Sequence, residues 1–245
     1  MGYTFYGDLL GISGYYRLSP KRAYGRLNEF YNMSFSCLSE FCRSSDGVEV
    51  NMFSDSIFVW GENEKDILPH LQLLYLELIH AGLLLQGALV DKKLRFDPRL
   101  TLDNFGKHLP KDDTLARAVG LARSQKGARF LVENRLVERL LERHPDWMTP
   151  EGYALKIDRS TSQSDILRRI SPTPDLTTYE VLYFWSPDED SRSDRVEADS
   201  NSEFLKDISK MISDEFSIHY RETIRLRDRS NCRRETTNRL LGETV

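Results

Sequence analysis

The chain has 245 residues, which is long enough to bury a core. Hydrophobic residues make up 40% of it and charged residues 29%, an ordinary composition for a soluble protein. Its formal net charge of −4 argues against a general nucleic-acid-binding surface, and no apolar run approaches the ~18 residues of a membrane span. The start of the chain has no signal-peptide pattern, and the three cysteines have no metal-binding spacing. We therefore expect a cytoplasmic protein with reduced thiols, without a membrane or nucleic-acid partner.

The chain begins with a strand-like stretch that contains one carboxylate. Tyr3, Phe5 and Tyr6 are typical of a strand, and Gly11 then breaks the pattern into a turn. Asp8 lies inside this apolar run. Tyr6 stands two residues before it, so the two side chains are predicted on the same face of the strand.

A helix and a hairpin are predicted next. Ser19 and Pro20 form a good helix start, and apolar residues recur at helical spacing to about Arg43. Residues 48–53 and 57–60 then read as two strands with Asp55 at the turn between them. If the first strand and the hairpin are neighbours, the two aspartates meet at one edge of the sheet. A divalent cation would relieve their repulsion, and oxygen ligands suit Mg²⁺ or Mn²⁺.

The remaining elements complete an α+β chain. We predict helices at 64–81, 114–123 and 134–143 and strands at 83–90 and 127–132, while 14–18 is read as a turn. This order matches the ferredoxin-like βαββαβ arrangement. After this core, residues 158–174 read as a loop or a short helix, and residues 178–185 as a strand that could join the edge of the sheet. Residues 186–202 read as a mobile connection. The residues from 204 onward are predicted to form an amphipathic helix that becomes rich in arginine. We therefore divide the chain into a core, 1–145, and a C-terminal extension, 146–245, that packs on it.

Two motifs in this order carry a resemblance to a known family. The stretch from Asp8 to Ser13, Asp-Leu-Leu-Gly-Ile-Ser, resembles the opening motif of class III nucleotide cyclases, usually Asp-Ile-x-Gly-Phe-Thr. Residues 53–56, Phe-Ser-Asp-Ser, resemble that family's Gly-Asp-Ser hairpin motif. Together with the later strands and helices, which extend the match over roughly 3–140, the chain is similar to the uridylate and cytidylate cyclases of bacterial Pycsar antiphage defence.

The resemblance implies a cyclase catalytic core and an activity. A pyrimidine nucleoside triphosphate, UTP in preference to CTP, would be converted to its 3′,5′-cyclic monophosphate and pyrophosphate, giving a second messenger in antiphage defence. Asp8 and Asp55, together with the backbone carbonyl of Leu9, would hold two divalent cations, Mn²⁺ or Mg²⁺. Family members share their sites between two subunits, which implies a homodimer.

Further residues are candidates for contacts with the substrate. Backbone amides of Gly11, Ile12 and Ser13 could form an anion nest for the β- and γ-phosphates, and Tyr6 could contact the sugar or base. Asn51 occupies the position of a base-reading lysine in purine-specific cyclases, and its amide offers a donor and an acceptor.

The family's ribose-orienting Asn and charge-balancing Arg are missing. Simple alignment places Ala116 and Gly120 at these positions. Arg117, one place along, is the candidate replacement in catalysis, with Arg123 and Lys126 behind it.

Other interpretations fit parts of the sequence. An aspartate at a hairpin turn is often only a turn former, and an arginine on an amphipathic helix is often only solvated. The chain could be a cyclase-like module that binds nucleotides or partners without catalysis, as the missing Asn and Arg would suggest. A polymerase-type nucleotidyl transferase would need a basic template groove, which this acidic chain does not indicate.

Overall fold

The computed structural model describes residues 2–62, 64–97, 108–143, 167–173, 176–181, 218–219 and 221–225. Strands and helices alternate through these residues. The strands are β1 (Tyr3–Leu9), β2 (Glu49–Phe53), β3 (Ser56–Gly61), β4 (Leu85–Asp91), β5 (Phe130–Glu133), β6 (Leu167–Thr173) and β7 (Leu176–Val181). The helices are α1 (Ile12–Leu18), α2 (Pro20–Ser44), α3 (Glu64–His80), α4 (Thr114–Arg123) and α5 (Asn134–Arg143).

The described strands form one sheet in the order β2-β3-β1-β4-β5-β7-β6. β1 lies inside the sheet and pairs antiparallel with β3 on one side and with β4 on the other. The four strands β2-β3-β1-β4, with α2 and α3 as their crossover helices, form the predicted ferredoxin-like βαββαβ core. The α+β fold class is therefore confirmed.

The two faces of β1 are buried by different helices. Tyr3, Phe5 and Leu9 point into the main core, which also contains the buried faces of α2 and α3. Tyr6, on the opposite face, packs in a smaller cluster with Ala118 and Ala122 of α4. Because side chains alternate along a strand, Asp8 shares the α4 face with Tyr6.

Helix boundaries follow local signals, with one correction. Ser19 caps α2, its side chain accepting the Arg22 N–H at 3.4 Å, as the Ser-Pro sequence predicted. Residues 14–18 were predicted as a turn but belong to α1. Gly11 at the α1 N-cap has φ 86°, and Ile12 is buried in the core. Tertiary burial thus completes a short helix that the sequence pattern alone did not indicate.

The extension contributes two strands. Residues 167–173 were predicted as loop or short helix, but they form β6, which pairs with β7 at the edge of the sheet that the described strands form. Backbone pairing with β7 supports a strand that this polar sequence does not favour by itself, and Pro172 lies at an irregularity in the β6–β7 register, where proline is tolerated. The predicted strand 178–185 overlaps β7, which joins the main sheet beside β5. The described residues do not include the end of this predicted strand, 182–185, or the predicted connection, 186–202. Of the helix predicted from residue 204, they include only 218–219 and 221–225.

The short helical pieces 218–219 and 221–225 dock on the loop before β5. His219 Nδ1 accepts the Gly127 N–H at 3.1 Å, and the Thr223 hydroxyl accepts the Ala128 N–H at 2.9 Å. Arg129 pairs with Glu222 at 3.1 Å. These contacts join residues 218–219 and 221–225 to the core. Among the described residues, we find no helix with both the length and the apolar character needed to cross a membrane.

Candidate active site

The candidate site lies where β1 and the β2–β3 hairpin end side by side. Asp8 stands directly opposite Ser56 of β3 and Gln86 of β4. Directly opposed residues of antiparallel strands place their side chains on the same face, about 5 Å apart at Cβ. Gln86, Asp8 and Ser56 therefore form one row across the sheet, and Phe53 of β2 continues it.

The turn that carries Asp55 is bonded to the end of β1. The Leu9 N–H donates to the Asp55 backbone carbonyl at 2.8 Å, and Ser54 adopts φ 55° in the turn. Asp55 is partly buried, and its negative charge contributes to raising the pKa of Asp8. The structure thus brings together the two aspartates that the sequence singled out.

The environment of Asp8 makes its charge costly. Burial is the main cause of its raised pKa, and repulsion from Asp55 adds to it. A hydrogen bond from the Ser56 hydroxyl to Asp8 Oδ1, 2.9 Å long, opposes the rise, as does the positive charge of Arg123. The net result is a carboxylate that gains more from a neighbouring cation than an exposed one would.

The donors of this site fit a hard divalent cation. Two carboxylates and the backbone carbonyl of Leu9 offer oxygen atoms, the donor type that Mg²⁺ and Mn²⁺ prefer. Within the described part of the chain, no cluster of three or more His, Cys, Asp or Glu side chains could hold a metal. A cation here would be held by the two carboxylates, and water or the oxygens of a substrate would complete its coordination, since Mg²⁺ usually keeps several waters and is bound through one or two carboxylates.

Tyr6 belongs to the same network. Its side chain is only 5% exposed and its ring packs on Phe58 with centroids 5.3 Å apart. Burial raises the pKa of Tyr6, while hydrogen bonding to Ser56 and the nearby Arg123 oppose the rise. The hydroxyl is therefore directed to the aspartate row, and the sugar or base contact expected of Tyr6 stays a prediction.

The predicted substrate groups surround this row. Asn51 is exposed on β2, opposite Phe58, which in turn lies opposite Tyr6. Asn51 therefore lies on the same face of the sheet as Asp8, in the neighbouring row of side chains that also contains Phe58 and Tyr6. Gly11 begins α1 and leads to buried Ile12 and exposed Ser13 in its first turn, where backbone N–H groups lack intrahelical acceptors. Their proposed phosphate contacts stay predictions.

Arg117 lies elsewhere in the same chain. Its guanidinium forms an ion pair with Glu133 at 2.9 Å and donates to the Asp91 carbonyl. Asp91 lies five residues along β4 from Gln86, or about 17 Å. Arg117 is thus not brought to Asp8 of its own subunit, and its catalytic role stays a prediction that needs a second subunit.

Lys126 lies closer to the row. It follows Gln125, whose carbonyl accepts from the Gln86 side chain opposite Asp8. The charge of Lys126 contributes to lowering the pKa of His219, after burial. Arg123, one turn earlier, is the cation whose charge reaches Asp8.

Sequence reasoning missed Ser56 and Gln86. Both flank Asp8 through cross-strand register, which is not written in any local motif. For Ser56, its place directly after Asp55 in a hairpin beside β1 was an available signal.

Comparison with known proteins supports the fold assignment. No model of a known protein family matches the chain, and no curated protein matches it by sequence. Among solved structures, it is similar to the dimeric guanylyl cyclase domain of the RhoGC fusion protein from the aquatic fungus Blastocladiella emersonii, with a TM-score of 0.51 and 10% identity over 74% of this chain and 95% of that one. It is also similar to a bacterial light-regulated adenylyl cyclase, with a TM-score of 0.50 and 11% identity over 80% of this chain and 96% of that one. The chain therefore has the fold of nucleotide cyclase catalytic domains.

Proposed function

We propose that this protein is a nucleotide cyclase that converts UTP, or with lower preference CTP, to the 3′,5′-cyclic monophosphate and pyrophosphate. The observation that carries the proposal is the junction of Asp8 and Asp55, made by the Leu9 N–H bond to the Asp55 carbonyl at 2.8 Å. It sets two carboxylates at one sheet end, within a fold shared with guanylyl and adenylyl cyclases.

The reaction would be an intramolecular phosphoryl transfer. The ribose 3′-oxygen bonds to the α-phosphorus as the bond to the pyrophosphate oxygen breaks, and the 3′-hydroxyl proton passes to water. Asp8, Asp55 and the Leu9 carbonyl would hold two cations. When bound, Mn²⁺ or Mg²⁺ lowers the pKa of the attacking hydroxyl and neutralises phosphate charge. The amides at the start of α1, from Gly11 to Ser13, would orient the β- and γ-phosphates.

The preference for a pyrimidine rests on Asn51. Its exposed amide shares the site face with the Tyr6–Phe58 pair, and an amide can both donate to and accept from a pyrimidine edge. Phe58 and buried Tyr6 would form the apolar floor beneath the base.

A homodimer would supply what one chain lacks. Arg117 is held by Glu133 about 17 Å along the sheet from Asp8, so it would serve the site of a second subunit. Lys126 follows Gln125, whose carbonyl accepts from Gln86 at one end of the Gln86–Asp8–Ser56 row, and it would contact the substrate. The cyclic product would act as a second messenger in antiphage defence, an assignment that rests on the sequence resemblance.

The test is a product assay. The pure protein is incubated separately with each of the four nucleoside triphosphates and Mn²⁺, and the products are separated by chromatography. A cyclic product from UTP or CTP is expected. Cyclic AMP or cyclic GMP as the main product would overturn the pyrimidine preference, and no cyclic product from any of the four would overturn the activity.

A second function is favoured by one departure from the cyclase pattern. Ala116 and Gly120 stand where cyclases have Asn and Arg, and Arg117 is already paired with Glu133. These features suit a module that binds a nucleotide without turning it over. Saturable UTP binding by calorimetry, together with no cyclic product under the same conditions, would support this function instead.

A further inference from the structure

Ser56 is placed to control the Asp8 carboxylate. It is the first residue of β3 and stands directly opposite Asp8 of β1. Its hydroxyl donates to Asp8 Oδ1 at 2.9 Å, and both residues are only partly exposed. The contact joins the hairpin to the strand by side chains, beside the backbone bond from Leu9 to Asp55.

The chemistry of the carboxylate sets the direction of this hydrogen bond. A serine hydroxyl has one proton to donate, and an ionised carboxylate only accepts, so the Ser56 proton goes to Asp8 Oδ1. Tyr6 stands two residues before Asp8 on the same face of β1, and its ring packs on Phe58 of β3, two residues after Ser56. The Ser56–Asp8 contact is therefore flanked by packed aromatic rings on the same face of the sheet.

We propose that Ser56 is a positioning residue for the cation site, an inference that rests on the cation-binding role of Asp8 in the proposed function. Its hydroxyl holds Asp8 Oδ1 and fixes the rotation of the carboxylate. The other oxygen of Asp8 is then presented to a cation shared with Asp55. Groups that hydrogen-bond to metal ligands in this way typically change metal affinity 10- to 100-fold when removed.

The competing explanation is that Ser56 merely begins a strand. A threonine separates the two roles, because it keeps the hydroxyl and suits a strand at least as well. Alanine removes the hydroxyl and leaves the backbone pairing with Asp8. Ser36 is exposed on α2, which packs on the opposite face of the sheet from Asp8, and Ser36→Ala is the matched control.

The experiment measures Mn²⁺ binding without nucleotide, by the electron paramagnetic resonance signal of free Mn²⁺, in the full-length wild type and three variants. Ser56→Ala is expected to weaken Mn²⁺ binding by about tenfold or more. Ser56→Thr should bind within about threefold of wild type, and Ser36→Ala should bind as wild type does. If cyclic product forms, the Mn²⁺ concentration for half-maximal rate should rise about tenfold in Ser56→Ala, with the KM for the nucleotide unchanged.

The outcomes separate this inference from the proposed activity. Wild-type Mn²⁺ affinity in folded Ser56→Ala, or equally weak binding by Ser56→Thr, would overturn the positioning role. Should Ser56→Ala not fold, Ser56→Cys, a much weaker donor, is expected to lose binding in its place. Ser56-dependent Mn²⁺ binding without any cyclic product would support the inference and overturn the activity. No Mn²⁺ binding by wild type would overturn the inference.

Discussion

The backbone N–H of Leu9 donates a 2.8 Å hydrogen bond to the backbone carbonyl of Asp55. Leu9 directly follows Asp8, so this bond connects the backbone next to Asp8 with the backbone of Asp55. The Ser56 hydroxyl bonds to Asp8 beside it. Since any separation of the hairpin from β1 would break both contacts, the two aspartates are held next to each other at this end of the sheet.

Replacing Asp8 should stabilise the metal-free protein and abolish its response to metal. The pKa of Asp8 in the folded state is raised above its ordinary value of 3.8. At a pH between the ordinary pKa and the raised pKa, the folded state therefore holds a proton that the unfolded state has lost. Stability contributed by Asp8 therefore falls as pH rises through this window. Asp8→Asn should unfold at a higher temperature than wild type at about pH 7, with the difference smaller at about pH 4.

Thermal unfolding with and without Mn²⁺ measures both effects. Mn²⁺ should raise the wild-type midpoint and leave that of Asp8→Asn unchanged. Asp46→Asn, an exposed replacement, is the matched control and should behave as wild type. Equal stabilisation of Asp8→Asn by Mn²⁺ would contradict the assignment of Asp8 as a ligand.

Removing the Asn51 amide should weaken pyrimidine recognition. Asn51→Ala is expected to lower kcat/KM for UTP by about 3- to 10-fold, mostly through KM, since one or two hydrogen bonds to the base are lost. Steady-state kinetics provide the measurement. Glu49→Ala is the control, because Glu49 is exposed on the same strand one row farther from Asp8. An unchanged kcat/KM for Asn51→Ala would remove Asn51 from the base site.

Two glycines should respond in opposite directions to alanine. A Cβ at Gly87 would lie 2.7 Å from the Tyr6 backbone oxygen and 2.6 Å from the Tyr75 hydroxyl. Gly87→Ala should therefore cost about 1–3 kcal/mol of unfolding free energy. A Cβ at Gly120, inside α4, would meet nothing within 4 Å, so Gly120→Ala should gain about 0.5–1 kcal/mol. Urea denaturation measures both, and a neutral Gly87→Ala would contradict the packing between β4 and β1.

Docking of the C-terminal helical piece should weaken in acid. Burial, followed by the charge of Lys126, lowers the pKa of His219 below 6.5, and its Nδ1 accepts the Gly127 N–H. The unfolded state therefore binds a proton first as pH falls. The stability from neutral His219 is present above about pH 6.5 and is lost on acidification.

The check compares urea midpoints of wild type and His219→Asn between about pH 7 and about pH 5. The pH dependence should be smaller in the variant. His108→Asn, at an exposed histidine, should keep the wild-type dependence. Identical slopes in wild type and His219→Asn would show that His219 does not couple docking to pH.

The sequence predicted those parts of the fold that depend on local chemistry. The Ser19 cap, the hairpin around Asp55 and helix α4 each follow from propensity and spacing, and the structure has them. β6 was missed because its strand state depends on pairing with β7, which a polar local sequence does not indicate. The sequence motifs were enough to pair Asp8 with Asp55. Placing Ser56 and Gln86 beside Asp8 required the register between β1 and its neighbouring strands, which the motifs do not contain. The remoteness of Arg117 follows from its ion pair with Glu133, a contact between elements that no motif encodes.

The central claim is that Asp8 and Asp55 act as one cation-binding unit, and a double-mutant cycle on cyclase rate tests it most directly. Asp8→Asn, Asp55→Asn and the double variant are assayed with UTP and Mn²⁺, with Asp46→Asn as control. We predict that each single variant loses about 100-fold or more in rate and that the double variant is no slower than either. Losses that multiply in the double variant, or near-wild-type rates in either single variant, would contradict the shared site.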